Sequence, residues 1–175
     1  MLKGHLRRPR PRRRAPLIRA VRALWTLPTT LLGHLAGLIA SGQLPRRVGG
    51  AAAVGWLYPI RPGVGFDWVG AVTIGHAILY RPGMLDGPTT AARLTLAHEL
   101  AHTRQHDLLG PLYLPLHILA QAVSALLTRG RPITVSRVHD QNPLEEMFIV
   151  VPVSALYPPH ASDAEVADVL ADFGV

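Results

Sequence analysis

The stretch Thr89-Thr90-Ala91-Ala92-Arg93-Leu94-Thr95-Leu96-Ala97-His98-Glu99-Leu100-Ala101-His102-Thr103-Arg104-Gln105-His106-Asp107-Leu108 decides how this chain is read. Leu94, Ala97, Ala101 and Leu108 mark one apolar side at helical spacing, so a helix is expected from Thr89-Thr90 to about Leu108, stopped by Gly110-Pro111. Inside it His98-Glu99-Leu100-Ala101-His102 has the form HExxH. Residues four apart lie one turn apart on one face, so both imidazoles can converge on one zinc ion at about 2.0–2.1 Å. Glu99 is rotated by about 100° from His98 on a helix of about 3.6 residues per turn. It is badly placed as a ligand and well placed to reach a water on the metal. Hydrolysis needs that pairing: zinc lowers the pKa of its water toward about 7, and a carboxylate carries the proton to the leaving amine.

A catalytic zinc takes about three protein ligands and keeps a further position open. His106 continues the stripe of His98 and His102, but eight residues of straight helix span about 12 Å, more than one ion can bridge. The metzincin pattern is absent too, since Gln105 and Leu108 stand where it needs Gly and His. His106 is therefore expected at the surface or behind a ligand. Downstream, His139, Asp140, Glu145 and Glu146 are the candidates, and Glu145 also stands at the third helical position after Asn142, where a glutamate can cap a helix start.

Two segments together, His98-Glu99-Leu100-Ala101-His102-Thr103-Arg104-Gln105 and Asn142-Pro143-Leu144-Glu145, resemble the gluzincin-type zinc metallopeptidases. The likeness is closest to small bacterial proteins in which HExxHxxQ is followed by an Asn-Pro-x-Glu segment, and it extends over roughly residues 73–151. It implies that His98, His102 and Glu145 hold Zn2+, that Glu99 is the base, and that the strand before the helix is an edge along which an extended peptide pairs. Tyr80, Tyr113, His117 and His139 are the candidates for stabilising an oxyanion, and no spacing rule selects among them. Gln105 is expected either behind a ligand, which it would orient, or on the helix surface, and His76 to be a core or sheet-edge residue.

The flanks supply the rest of the fold. Val48 to Tyr80 is rich in Gly, Val and Ala with turn signals at Pro59, Pro62-Gly63 and Pro82-Gly83, which predicts two or three short strands, the last from about Ala71 to Tyr80. After Gly110-Pro111 a buried helix is expected from about Leu116 to Leu127, with further helices starting at Asn142 and at Ser162-Asp163-Ala164-Glu165. Short strands, HExxH helix, connecting helix and glutamate helix make an α+β, zincin-like domain over 45–175, mostly helical with a small strand layer beside the HExxH helix.

Charge is unevenly spread. The 175 residues carry 18 Lys+Arg against 11 Asp+Glu, a net of +7, yet nine of the bases lie in the first 22 residues, which hold no acid. The rest nets −2. Residues 1–22 read as a basic arm interrupted by Pro9, Pro11 and Pro16. Residues 23–44 form an apolar N-terminal helix, with no formal charge from Ala23 to Ser41.

That helix carries two stripes: Thr26, Thr30, Gly33 and Gly37, small enough for another helix to approach, and Leu24, Leu31, Leu35 and Leu38. It either associates with a membrane, by spanning it, lying on it or acting as a signal sequence, or lies over the body by its Leu face. The protein is thus expected to be membrane-associated or cytoplasmic. An anionic membrane surface is favoured over nucleic acid as partner of the arm, because no aromatic residues interleave the arginines. With no cysteine, thiolate metal sites, disulfides and a cysteine nucleophile are excluded. The reading of function is a zinc metallopeptidase acting on a peptide or protein. The alternative is a catalytically silent zinc-binding module for interaction or sensing at a membrane.

Overall fold

The computed structural model describes residues 15–50, 53–64, 70–127, 142–146 and 162–175. Its elements are α1 (Ala15–Ser41), β1 (Arg46–Gly49), β2 (Val54–Pro59), β3 (Ala71–Ile74), β4 (Ala77–Tyr80), α2 (Thr90–Leu109), α3 (Tyr113–Leu127), α4 (Pro143–Glu146) and α5 (Asp163–Phe173). A short 3-10 turn, Gly110–Leu112, joins α2 to α3.

The strands form one sheet in the order β1-β2-β4-β3. The β2/β4 pair is parallel, with Tyr58 opposite Leu79, and the other two pairs are antiparallel. The single strand expected over 71–80 is a hairpin, because Gly75 turns the chain at φ 64°. Any side chain there would run into the backbone of Thr30 on α1, so both the turn and the close approach require glycine.

Alternation along the strands divides the core between two faces. Leu57, Ile78 and Tyr80 pack with Leu94, Ala97 and Leu100 of α2 and with Leu170 and Phe173 of α5. On the other face Tyr58, Ala77 and Leu79 pack with Ala40 of α1. The result is a mixed α and β fold in which the later part of α1 and the earlier part of α2 pack on opposite faces of a four-stranded sheet, while Trp25 and Thr29 of α1 meet Gly110 and His106 at the end of α2 directly.

Two sequence expectations about the N-terminal region change. The helix reaches back to Ala15, so Arg19 and Arg22 belong to it, and Pro16 falls in its first turn, where a missing N–H costs nothing. Nor does α1 meet the body through leucines. Its buried line is Thr26, Thr29, Gly33, Gly37 and Ala40, while Leu24, Leu31, Leu35 and Leu38 are exposed. A Cβ on Gly33 would collide with the Ile74 carbonyl oxygen, and one on Gly37 with the Tyr58 ring, so the glycines set the distance from helix to sheet. The small-residue stripe serves close approach as expected, but to a sheet.

The α2 limits follow the sequence closely. Thr89 caps its start by accepting a hydrogen bond from the Ala92 N–H at 3.2 Å, and Gly110 ends it at φ 56°, where a side chain would strike Trp25. The next helix begins at Tyr113, earlier than Leu116, because Pro115 lies within its first turn and does not break it, and it is not the buried helix expected: Tyr113 and Ser124 are buried, while Leu116, Ile118, Leu119, Leu126 and Leu127 are exposed. Ala20–Ser41 and the run Thr90–Leu127 are both long and apolar enough to cross a membrane, although the second contains the buried HExxH segment.

Candidate metal centre

In α2, His98 and His102 project from one face with their Nε2 atoms 3.1 Å apart. The Glu145 carboxylate reaches them from α4: its Oε2 is 3.2 Å from His98 Nε2 and 3.1 Å from His102 Nε2. All three side chains are buried, and one donor atom from each lies within 4.8 Å of the others, so the cluster could hold a metal ion. Two imidazoles and one carboxylate are the donor set that suits zinc with a further position left open. The glutamate that could have served only as a helix cap therefore faces the histidines.

How a four-residue helix can aim Glu145 is visible in its hydrogen bonds. Asn142, fully buried, accepts from the Leu144 N–H through Oδ1 at 2.9 Å and from the Glu145 N–H through its carbonyl at 2.8 Å. Its Nδ2 donates to Gln121 Oε1 of α3 at 2.8 Å. Gln105 closes the arrangement from α2, donating through Nε2 to the Leu144 carbonyl at 2.6 Å. Its Oε1 lies 2.8 Å from His102 Nδ1 and accepts a hydrogen bond from that N–H, so Nε2 is the nitrogen turned toward His98 and Glu145. Gln105 thus orients a candidate ligand, one of the two placements expected of it, and also ties the two ligand-bearing helices together. Gln121 was not singled out in the sequence, where a glutamine on an apolar helix carries no signal of its own.

Burial disfavours a charged His102, but hydrogen bonding to Glu145, the charges of Glu145 and Glu99, and Gln105 outweigh it and raise its pKa to about 9. A carboxylate placed against two imidazoles invites either a proton or a cation, and a metal ion bound there would displace the proton.

Glu99 is buried beside this cluster on α2, turned toward the sheet edge. Thr73 of β3 donates its hydroxyl hydrogen to Glu99 Oε2 at 2.6 Å and also lies 3.3 Å from the Glu99 carbonyl oxygen. Sequence reading missed Thr73: a threonine in a strand is ordinary, and only the sheet order places β3 at the edge beside α2.

Among the candidate oxyanion groups, the fold brings Tyr113 and His117 to the centre. His117 Nε2 is 3.6 Å from Glu145 Oε1, and its ring centroid is 5.7 Å from that of His102. Tyr113 is buried between His102, His106 and His117, and burial, with the charges of Glu145 and Glu99, pushes its hydroxyl pKa well up. Tyr80 is engaged elsewhere, donating to Asp86 Oδ2 at 3.3 Å. His139, Asp140 and the Glu146 side chain lie outside the described residues.

His106, expected at the surface or behind a ligand, is not at the surface. It is fully buried, and it bonds to Thr29 of α1 and packs edge-on against His76. His76, in the β3–β4 turn, joins Thr30 of α1 to Asp107 of α2 at 3.0 and 3.1 Å. These histidines belong to a polar seam between α1 and the HExxH helix. Their role depends on a helix far away in sequence.

Residues 69–108, which take in β3, β4 and nearly all of α2, match the protein family described as the eCIS core domain. No curated protein and no solved structure matches the chain.

Proposed function

We propose that this chain is a zinc-dependent metallopeptidase of zincin-like architecture in which His98, His102 and Glu145 hold the metal and Glu99 is the general base. The observation that carries the reading is the meeting of Glu145 Oε2 with both imidazole Nε2 atoms, beside a Glu99 that belongs to the same helix as the histidines. Zinc held there would polarise a scissile carbonyl and acidify water.

The chain's own groups supply the proton transfers. Thr73 fixes Glu99 through Oε2, which leaves Oε1 to take the proton of the attacking water. As the C–O bond forms and the C–N bond breaks, Glu99 returns that proton to the leaving amine. The edge strand β3 offers backbone N–H and C=O groups to an extended substrate beside this carboxylate. Tyr113 or His117, beside His102, would donate a hydrogen bond to the developing oxyanion.

Two measurements test the proposal. Metal analysis of purified protein should find one zinc per chain, lost in His98→Ala/His102→Ala; zinc retained by that variant overturns the ligand assignment. Cleavage of a broad peptide library should be abolished by Glu99→Gln with zinc and fold retained. Zinc binding without any cleavage by the wild type would leave a silent zinc-binding module instead.

A further inference from the structure

The polarity of α1 is inverted for a helix on the surface of a water-soluble body. Such a helix normally turns its large apolar side chains inward and its small or polar ones outward. Here the inward line is threonine, glycine and alanine, while Leu24, Leu27, Leu31, Leu35, Leu38 and Ile39 are 42–71% exposed. Contiguous apolar surface of this kind marks a contact site.

Charge identifies the occupant. The exposed leucines follow directly on the nine bases of the first 22 residues, of which Arg22 is exposed on α1 itself. Basic residues flanking an apolar helical face suit a membrane surface of anionic lipid, where headgroups meet the arginines and acyl chains take up the leucines. A second copy of the chain would bring two such basic arms together.

Crossing the bilayer does not fit the contacts that α1 already makes. Thr29 bonds to His106, Thr30 to His76, and His34 Nδ1 to the Tyr58 hydroxyl at 2.6 Å. Arg61 donates to the Ile39 carbonyl at 2.8 Å. These polar bonds tie one whole side of the helix to the body and would be lost if lipid surrounded it.

We infer that α1 lies in the plane of an anionic membrane, its leucine face in the lipid and its glycine–threonine face on the sheet, with the basic arm on the headgroups. Flotation of the full-length protein with phosphatidylcholine vesicles, with and without phosphatidylserine, tests this.

Wild type should bind the phosphatidylserine vesicles about tenfold or more tightly than the neutral ones. Leu31→Gln/Leu35→Gln should lower that binding by about tenfold or more while retaining fold and metal. Because the chain has no cysteine, an environment-sensitive dye on Leu35→Cys should shift to the blue on these vesicles, and the same dye on Asp168→Cys of α5 should not. The inference is overturned by equal binding to both vesicles, or by a Leu35→Cys dye indifferent to lipid. It is also overturned by a lipid-free dimer that the leucine variant dissociates, or by protease protection placing the arm and the body on opposite sides of the bilayer.

Discussion

At the scale of single residues, Glu145 shows how far local sequence reasoning reaches. Its position after Asn142 fits both a capping pattern and the ligand position that the resemblance implies, and the two differ only in where the carboxylate points. Gln105 and Gln121 bear on that choice from other helices. Gln105→Ala should therefore weaken zinc binding by about 10- to 100-fold while leaving His98, His102 and Glu145 in place, measured by competition with a chromophoric chelator. Thr73 holds Glu99 rather than a candidate ligand: on the proposed role of Glu99 as general base, Thr73→Val should lower kcat with zinc affinity unchanged, and Thr73→Ser should restore most of it.

His106 adds a pH dependence. Burial, then the neighbouring His76, outweigh Asp107 and lower its pKa to about 4, against about 6.5 in an unfolded chain. Between these values the unfolded chain takes up a proton that the folded one refuses. Stability should fall as pH drops from about 6.5 to about 4, by at most about 3 kcal/mol from this group, and level off below. Urea titrations of the zinc-free protein should show a shallower pH slope in His106→Gln.

At the scale of elements, helices with local end signals were legible and those governed by packing were less so. Thr89 and Gly110 bound α2 where expected, because a cap is satisfied by atoms within a few residues. The β3–β4 turn was missed, because Gly75 reads as a tolerable glycine within a strand until Thr30 is seen to press against it. For α1 both stripes were legible but the side facing the body was not: periodicity defines a face, and only the partner surface decides which face is buried. Gly33→Val should destabilise the protein by about 1–3 kcal/mol or more through the clash with the Ile74 carbonyl, seen as a lower urea midpoint, whereas Leu31→Gln should have little effect in water.

At the scale of the whole molecule, α1 and α2 have different relations to their surroundings. The sheet and α2 bury a large apolar core, yet Glu145 reaches the centre on a four-residue helix. Metal bound across α2 and α4 should add to stability according to its occupancy, about 2.7 kcal/mol at a free concentration one hundred times Kd. Thermal unfolding should accordingly shift upward on zinc addition and return on chelation, and His98→Ala/His102→Ala should be insensitive to both.

By itself the sequence determined the HExxH helix and its ends, the short strands, the candidate ligands, the absence of thiolate chemistry and the confinement of the charge to one arm. All of these depend on residue type and on spacing within a few turns. Tertiary structure alone decided that Glu145 faces the histidines, that Thr73 holds Glu99, that His106 is buried against α1, and that α1 turns its leucines outward. Each of those depends on where one element stops against another, and that distance is set by close packing across residues far apart in the chain.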